Sequence, residues 1–526
     1  MITNRSILRY AGAFGVFCVL VMVLAGCPKP PEDARITITP RTATIDVGDT
    51  VTFSATSSDS KDEIAWSTNN SNVATVNQSG VVTGVAAGQT KVVATGSVSG
   101  ATASATVTVV APWEPDEFVY DVILAPEVVE VEESVLDALI GYDDEYDAGE
   151  NPAYRYYFDA ALAADYGLEF IEGDPLLVHG VGLGRIADVS EQGGQIIVET
   201  DFAPLTEIIT DGQIAWDYGV EFTPEKVAAI EVPGKGIYYP TKGQPIEINL
   251  DVGDFNYLLK VTLDTDNATF DFTVSRDMPG PAGARFQAVG HLERFRSQDF
   301  IEIESGSLRS FDHQLNGLRG ETTLELVVAA SGSDGVNLEF PVTIMRVPFA
   351  VGPIPVVLNI RIQFVVNAVV PLDGSARVQT RFTYNSDLGL ACDGVSVSAG
   401  GRMGETQFGD PVHETGASSP ISANFGMGFP RVELSIAGNS VVPWAQVAFL
   451  VGGSYTVIPP CQTADATFLG AAGYKLGFFG LNLLSGSTTL FREDKELLRA
   501  GDCPKGVYVQ EYEILAEELM LEPYDW

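Results

Sequence analysis

Basic residues, histidine and cysteine are scarce in this 526-residue chain, and each scarcity excludes a class of function. Lysine and arginine number 30 against 70 aspartate and glutamate, a formal charge of −40. A surface of that sign repels phosphate backbones, so nucleic acid is not expected as a partner. The four histidines, His179, His291, His313 and His413, stand far apart, with no HExxH or comparable metal spacing, and read as isolated surface or structural residues. None of the five cysteines forms a CxxC pair. No GxSxG elbow occurs, which argues against an α/β-hydrolase. Gly180-Val181-Gly182-Leu183-Gly184-Arg185 approximates a dinucleotide fingerprint but ends in Arg185, and it reads as a glycine-rich β segment. No cofactor and no enzymatic activity are expected.

What is present begins at the N-terminus. Arg5 and Arg9 precede the apolar run Ala11–Leu24, and the small residues Ala25 and Gly26 lead to Cys27. This is the layout of an export signal, too short for a spanning helix of ~20 apolar residues. Leu24-Ala25-Gly26-Cys27 resembles the lipobox of bacterial lipoproteins. The resemblance implies lipidation of Cys27, cleavage before it, and a mature chain whose partner is the membrane. Each buried CH₂ of the acyl chains contributes ~0.8 kcal/mol, enough together for stable anchoring. Pro28 in place of aspartate implies sorting to the outer membrane of a Gram-negative envelope. Cys392, Cys461 and Cys503 then remain for at most one disulfide, which export permits. Cys392–Cys461 is the expected pair because both lie in one strand-rich region, with Cys461–Cys503 close behind.

Residues 27–34 are a proline-rich spacer. Over residues 35–110, short alternating segments such as Ile36-Thr37-Ile38, Val51–Ala55 and Thr102–Val109 recur with turn signals between them, the pattern of a β-sandwich with Trp66 as core filler. Trp66-Ser67-Thr68-Asn69-Asn70, Val73-Ala74-Thr75-Val76 and Gly80–Gly88 are similar to the group 2 bacterial immunoglobulin-like domain. That resemblance implies a surface spacer or adhesive module.

The remainder resembles no family. Residues 111–175 read as a linker followed by an acidic segment, with a helix over Tyr154–Leu168. Residues 176–240 read as a small mixed module with a helix over Pro204–Thr210, capped by Thr200 or Asp201. Residues 241–526 read as a large antiparallel β domain ending in an acidic, amphipathic tail, Val507–Trp526. Asp334-Gly335 signals a hairpin. Val356–Ala368 is apolar on one face, and the turn at 371–374 predicts pairing with 376–382, bringing Arg381 near Gln363 and Arg377 near Asn367. The fold class is therefore mainly β: an immunoglobulin-like sandwich, a small mixed α/β region and a large antiparallel domain.

The site candidates are few. Asp143, Glu145 and Asp147, and separately Asp264 and Asp266, alternate or cluster as calcium ligands can, although solvated acid clusters account for both more simply. Arg361, Arg377 and Arg381 form either a carboxylate-binding face or internal ion pairs, and pairing is preferred. These features predict an exported, membrane-anchored protein with a binding or structural role at the cell envelope, directed at a surface protein or glycan. A carrier of apolar ligands on the one-sided sheet is the alternative. A carbohydrate-active enzyme ranks below it, since no carboxylate pair stands out. A transmembrane barrel is disfavoured by the proline and acids of Glu522–Trp526.

Overall fold

The structure is a computed structural model. It describes residues 34–503 except 87, 111–114, 148–152, 253–254, 278–282, 330–335, 339–341, 370–374, 405–406, 409–411, 416–420, 439–442 and 482–483. The chain divides after Glu114 into two compact units.

The first unit is a sandwich of short strands. Ile64–Thr68, Gly88–Gly96, Thr102–Val110 and Thr42–Asp46 form one sheet, the last two running parallel. Thr50–Thr52, Val81–Gly84 and Ala74–Val76 form another, and Ile36–Thr39 pairs with Ser54–Ser57. Phe53, Trp66, Val82, Val92 and Val107 fill the centre. Gly80 is held at φ 78°, where a Cβ would collide with the Phe53 carbonyl and press on the Trp66 ring, so only glycine closes this turn. Asp62 ties two loops together by accepting from the Ser57 hydroxyl (2.6 Å), the Ser99 hydroxyl (2.6 Å) and the amides of Val98 and Ser99.

The second unit is built from two large sheets and one smaller one. Its principal strands are β1 (Glu117–Leu124), β2 (Ile209–Val220), β3 (Ile246–Val252), β4 (Phe255–Leu263), β5 (Asn267–Asp277), β6 (Gly283–Glu293), β7 (Phe295–Glu304) and β8 (Ser307–Ala329). They continue as β9 (Thr343–Val351), β10 (Ile354–Val369), β11 (Ser375–Cys392), β12 (Val397–Met403), β13 (Ile421–Ile436), β14 (Pro443–Val457), β15 (Pro460–Lys475) and β16 (Ser485–Gly501). The twelve-stranded sheet runs β1-β2-β7-β8-β6-β5-β4-β3, with β11 on the other edge of β8 and β12 beyond β11. The long strand β8 changes partner from β7 to β6 beside Gly317, whose φ of 75° accommodates the irregularity. The nine-stranded sheet carries β9-β10-β13-β14-β15-β16 in order, all antiparallel, preceded by Gly236–Tyr238 and Ala229–Val232. Six strands between Val129 and Asp201 form the third sheet.

The apolar faces of the two large sheets meet. Phe364 of β10 stacks on Phe272 of β5 with centroids 4.2 Å apart and 7° between planes, and Phe286 meets Phe364 edge-on at 5.4 Å. Phe382 of β11 lies 4.7 Å from Phe449 of β14. Each such ring contributes about 1.5–3 kcal/mol by leaving water. Leu358, Ile360, Ile362 and Phe364 are at most 5% exposed. The void beside Ile360 and Ile362 is about 10 Å³, room for one water and not for an acyl chain. The face proposed to cradle a lipid is thus a packed core.

This arrangement corrects several expectations. β10 and β11 are not a hairpin: β10 pairs with β9 and β13, whereas β11 pairs with β8 in the opposite sheet. Val336–Leu338 likewise pairs with β10 and not with β8. Asp334-Gly335 lies outside the described residues. At both of these places the chain changes sheet, because two one-sided strands bury their apolar faces equally well across a sandwich or side by side. No domain boundary separates 176–240 from the rest, since β2 lies within the twelve-stranded sheet and Ala229–Val232 within the nine-stranded one. The segment 111–175 is mostly strand from Glu117 onward. Its helix is confined to Ala160–Tyr166, where the Asp159 carboxylate accepts from the amides of Ala161 (2.9 Å) and Leu162 (3.0 Å). Tyr154, Tyr156 and Phe158 instead alternate inward on a strand, so period two prevails over the helical spacing. The second short helix is Leu205–Ile208, with Pro204 at its N-cap and no side-chain cap.

Candidate functional site

Two buried polar clusters stand out among the described residues of the second unit. The first lies on the nine-stranded sheet. Strand register sets Arg361 of β10 opposite Arg431 of β13, and Arg431 opposite Gln446 of β14. Glu433 lies two residues beyond Arg431, on the same face and opposite Trp444. Glu433 is ion-paired to Arg361 and receives Nε of Arg431 at 2.7 Å, and its side chain is fully buried. The Arg431 guanidinium lies 4.1 Å from the centre of the Trp444 ring. Gln446 is wholly buried, and its amide nitrogen and oxygen have no hydrogen-bond partner, nor has Nε1 of Trp444. Two guanidiniums converge on this one buried carboxylate, which makes Glu433 the counter-ion of the cluster.

The second cluster sits on the core side of the twelve-stranded sheet. His313 Nδ1 is 2.6 Å from Asp299 Oδ1, and both side chains are fully buried. The Ser297 hydroxyl donates to the other Asp299 oxygen at 2.7 Å, and Trp216 Nε1 donates to Ser297 Oγ at 3.5 Å. The serine thus bonds to the aspartate and not to the histidine, which is not the order nucleophilic catalysis requires. Sequence spacing offered no signal for this pairing, because Asp299 and His313 face each other only through the β7–β8 register. His179 is also paired, at 2.8 Å from Glu130, and His291 lies 3.8 Å from Glu293. The Glu293 carboxyl feels opposing influences, burial raising its pKa and the His291 hydrogen bond and Arg319 lowering it, with a net fall. The His413 side chain lies outside the described residues.

The arginines expected on one face are divided. Arg361 belongs to the buried cluster, whereas Arg377 and Arg381 lie on the other sheet. Arg377 is 3.4 Å from Glu325, and Arg381 is ion-paired with Glu321. Asp143 sits exposed on Leu139–Asp147, opposite Arg155, and the side chains of Glu145 and Asp147 lie outside the described residues. Asp266 is 3.2 Å from Arg294, and Asp264 accepts from the Thr265 amide at 2.7 Å. Among the described residues, no group of three or more histidine, cysteine, aspartate or glutamate side chains is placed to hold a metal ion. A shallow groove along β11 and β12 is lined by Gln314, Gly389, Ser398 and Gly400, with Asp387 and Arg402 paired across it.

The expected Cys392–Cys461 bridge is replaced by Cys461–Cys503, with Cα atoms 4.8 Å apart, and Cys392 is a buried free thiol. The reason is topological: β15 and β16 are neighbours, whereas Cys392 ends β11 in the other sheet. Burial raises the Cys392 thiol pKa, so the thiol is poorly reactive. Cys27 lies outside the described residues.

A comparison with the curated proteins finds no match to the chain. The small sandwich of the first unit does match a family: residues 34–109 are a bacterial Ig-like domain (group 2).

Proposed function

We propose that this protein is an exported lipoprotein of the cell envelope, anchored in the outer membrane through acylated Cys27, with a binding or structural and non-catalytic role. The Ig-like domain follows the anchor as a spacer, and the double-sheet domain presents a surface to an envelope protein or glycan. The observation that carries the reading is the Ig-like match at residues 34–109, directly beyond a proline-rich spacer and the Leu24-Ala25-Gly26-Cys27 sequence. An acidic surface suits such a position, since it keeps an exposed domain soluble and away from anionic headgroups. The lipid-carrier alternative loses its support, because the face meant to hold the lipid is filled by the facing sheet.

The test is fractionation and mass spectrometry of the mature chain. The expected form begins at Cys27 with acyl chains attached and sediments with membranes, and Cys27→Ser moves the protein to the soluble fraction. A Cys27→Ser chain that remains with membranes, or a mature wild-type chain without lipid, refutes the anchor.

A further inference from the structure

The groove on the solvent side of the twelve-stranded sheet, over β8, β11 and β12, encloses about 360 Å³. Strand alternation makes it. Leu315, Leu388 and Leu390 face the core, so Gln314, Asp387, Gly389 and Ala391 face away from it, and Ser398, Gly400 and Arg402 of β12 share that side. Register sets Gln314 opposite Gly389 and Gly389 opposite Gly400. Two adjacent strands therefore lack side chains at the same level, and the floor is bare backbone. A Cβ on Gly389 would collide with the Gln314 amide, so that side chain lies across the floor. The amide makes no hydrogen bond to the described residues.

The rows on either side are built differently. In one, Asn316 donates to Gln298 at 2.7 Å, and Asp387 accepts from the Gly317 amide at 2.9 Å and from Arg402 Nε at 3.0 Å. That row is rigid and its charges are matched. In the other, Phe300, Asp312, Ala391 and Ser398 stand opposite one another on β7, β8, β11 and β12. Phe300 is half-buried and belongs to none of the three hydrophobic clusters.

We propose that this groove binds a stretch of neutral glycan chain. The inference rests on the reading of the protein as a binding protein of the envelope, and it names the ligand class. Three features select that class. The first is charge. Asp387 and Arg402 are the only charged residues lining the groove, they pair with each other, and Asp312 beside them is an acid, so an anionic chain meets no unengaged base there. The second is the floor. Gly389 pairs with β8 on one side and β12 on the other, so its N–H and C=O are spent in the sheet, and an extended peptide laid over it has no backbone to pair with. The third is the donor set. Sugar hydroxyls both donate and accept, which matches the Gln314 amide and the Ser398 hydroxyl, while Asp312 accepts. The apolar face of a pyranose ring suits the Phe300 ring two strands away. The volume falls within the about 300–1,000 Å³ of small-molecule sites.

Gly400 supplies the test, because a Cβ there meets nothing within 4 Å and a larger side chain fills the groove without displacing the fold. Calorimetry on the purified full mature chain with Cys27→Ser uses chitohexaose, cellohexaose, maltohexaose and mannohexaose, with hexagalacturonic acid as the anionic counterpart. At least one neutral chain is expected to bind, with an affinity insensitive to salt. Gly400→Leu is expected to abolish binding with an unchanged unfolding midpoint. Gln314→Ala and Phe300→Ala are each expected to weaken it about tenfold. Gly141→Leu, at an equally open glycine of the third sheet, is expected to leave it unchanged. Binding by none of the four neutral chains overturns the proposal, as does binding that survives Gly400→Leu, an unchanged affinity in Gln314→Ala, or preference for the galacturonic acid. An extended peptide that binds where the glycans do not, and is lost with Gly400→Leu, assigns the groove to a protein partner and equally overturns it. The anchor is judged by where the Cys27→Ser chain fractionates, so a failure of glycan binding is distinguishable from a failure of the lipoprotein reading.

Discussion

Replacing Cys503 by serine tests the topology and the redox chemistry of the large domain together. The Cys461–Cys503 bridge closes a loop of 42 residues. Loop-closure entropy of about −2.1 − 1.5R ln n cal/mol/K, with n of 42, is roughly 13 cal/mol/K, or about 4 kcal/mol at 25 °C. Part of that is offset if the unfolded chain keeps structure, so an expected loss of about 2–4 kcal/mol follows for Cys503→Ser and for Cys461→Ser alike. Cys392→Ser removes no bridge and places a hydroxyl in an apolar site, at a cost of about 1–2 kcal/mol. The assay is urea unfolding of the oxidised chain followed by tryptophan fluorescence, with dithiothreitol added in a second series. Reductant is expected to lower the wild-type midpoint to that of Cys503→Ser and to leave Cys503→Ser unchanged. Peptide mapping without reduction supplies the covalent answer. A linked pair of peptides containing Cys392 and Cys461, or a Cys503→Ser midpoint equal to that of wild type, refutes the neighbouring placement of β15 and β16.

Three further outcomes follow from the packing. Phe272→Leu and Phe364→Leu are expected to couple by about 0.5–1.5 kcal/mol in a double-mutant cycle, because the rings stack across the two sheets, and strictly additive losses would mean the faces do not meet. Glu433→Gln strips the buried arginines of their counter-ion and is expected to cost about 3–5 kcal/mol by chemical denaturation, whereas a neutral result would place the cluster in water. In the Ig-like domain the Ser57 hydroxyl, then the Ser99 hydroxyl and amide, hold the Asp62 carboxyl far below its ordinary 3.8. A depressed folded-state pKa contributes stability that is present above pH ~4 and lost as the pH falls further. Calorimetry should therefore show the Ig-like transition moving down in temperature below pH ~4 in the wild type, and Asp62→Asn starting lower at pH 7 with little further change.

Legibility in the sequence differed between the two units for a physical reason. The Ig-like domain is small, and although most of its strands pair with partners distant in sequence, Trp66 and the Gly80 turn occupy positions that local pattern alone identifies. The large domain is also legible as antiparallel β, strand by strand. Its pairing is not, because alternation along β10 and β11 specifies which face is apolar and says nothing about what that face meets. A hairpin and a sandwich satisfy the same pattern. Arg361 and Arg381 look like neighbours by count along the chain, and the two sheets divide them. The Asp299–His313 pair escapes for the converse reason: its members are fourteen positions apart on strands whose register only the fold sets.

Strands β14 and β15 are buried on both faces, with Ala448, Leu450 and Leu469 facing away from the core side of Val447, Phe449 and Phe468, and this leaves a trace in the sequence that periodicity does not weigh. Val447-Ala448-Phe449-Leu450-Val451-Gly452-Gly453 and Phe468-Leu469-Gly470-Ala471-Ala472-Gly473 are runs without a single charge, in a chain where 19% of residues are charged. A strand wet on one face alternates, and a strand dry on both does not need to. The glycines in these runs have a steric role: a Cβ at Gly473 would collide with the Trp444 ring, and one at Gly470 with Phe491. Small residues there let large rings lie flat against the sheet, on the outward side at Trp444 and on the core side at Phe491. The charged side chains Arg361, Arg431 and Glu433 on that side are ion-paired with one another. Along these two runs the positions facing away from the core carry no charge, in a protein whose formal charge is −40, and that is the composition of a face kept out of water.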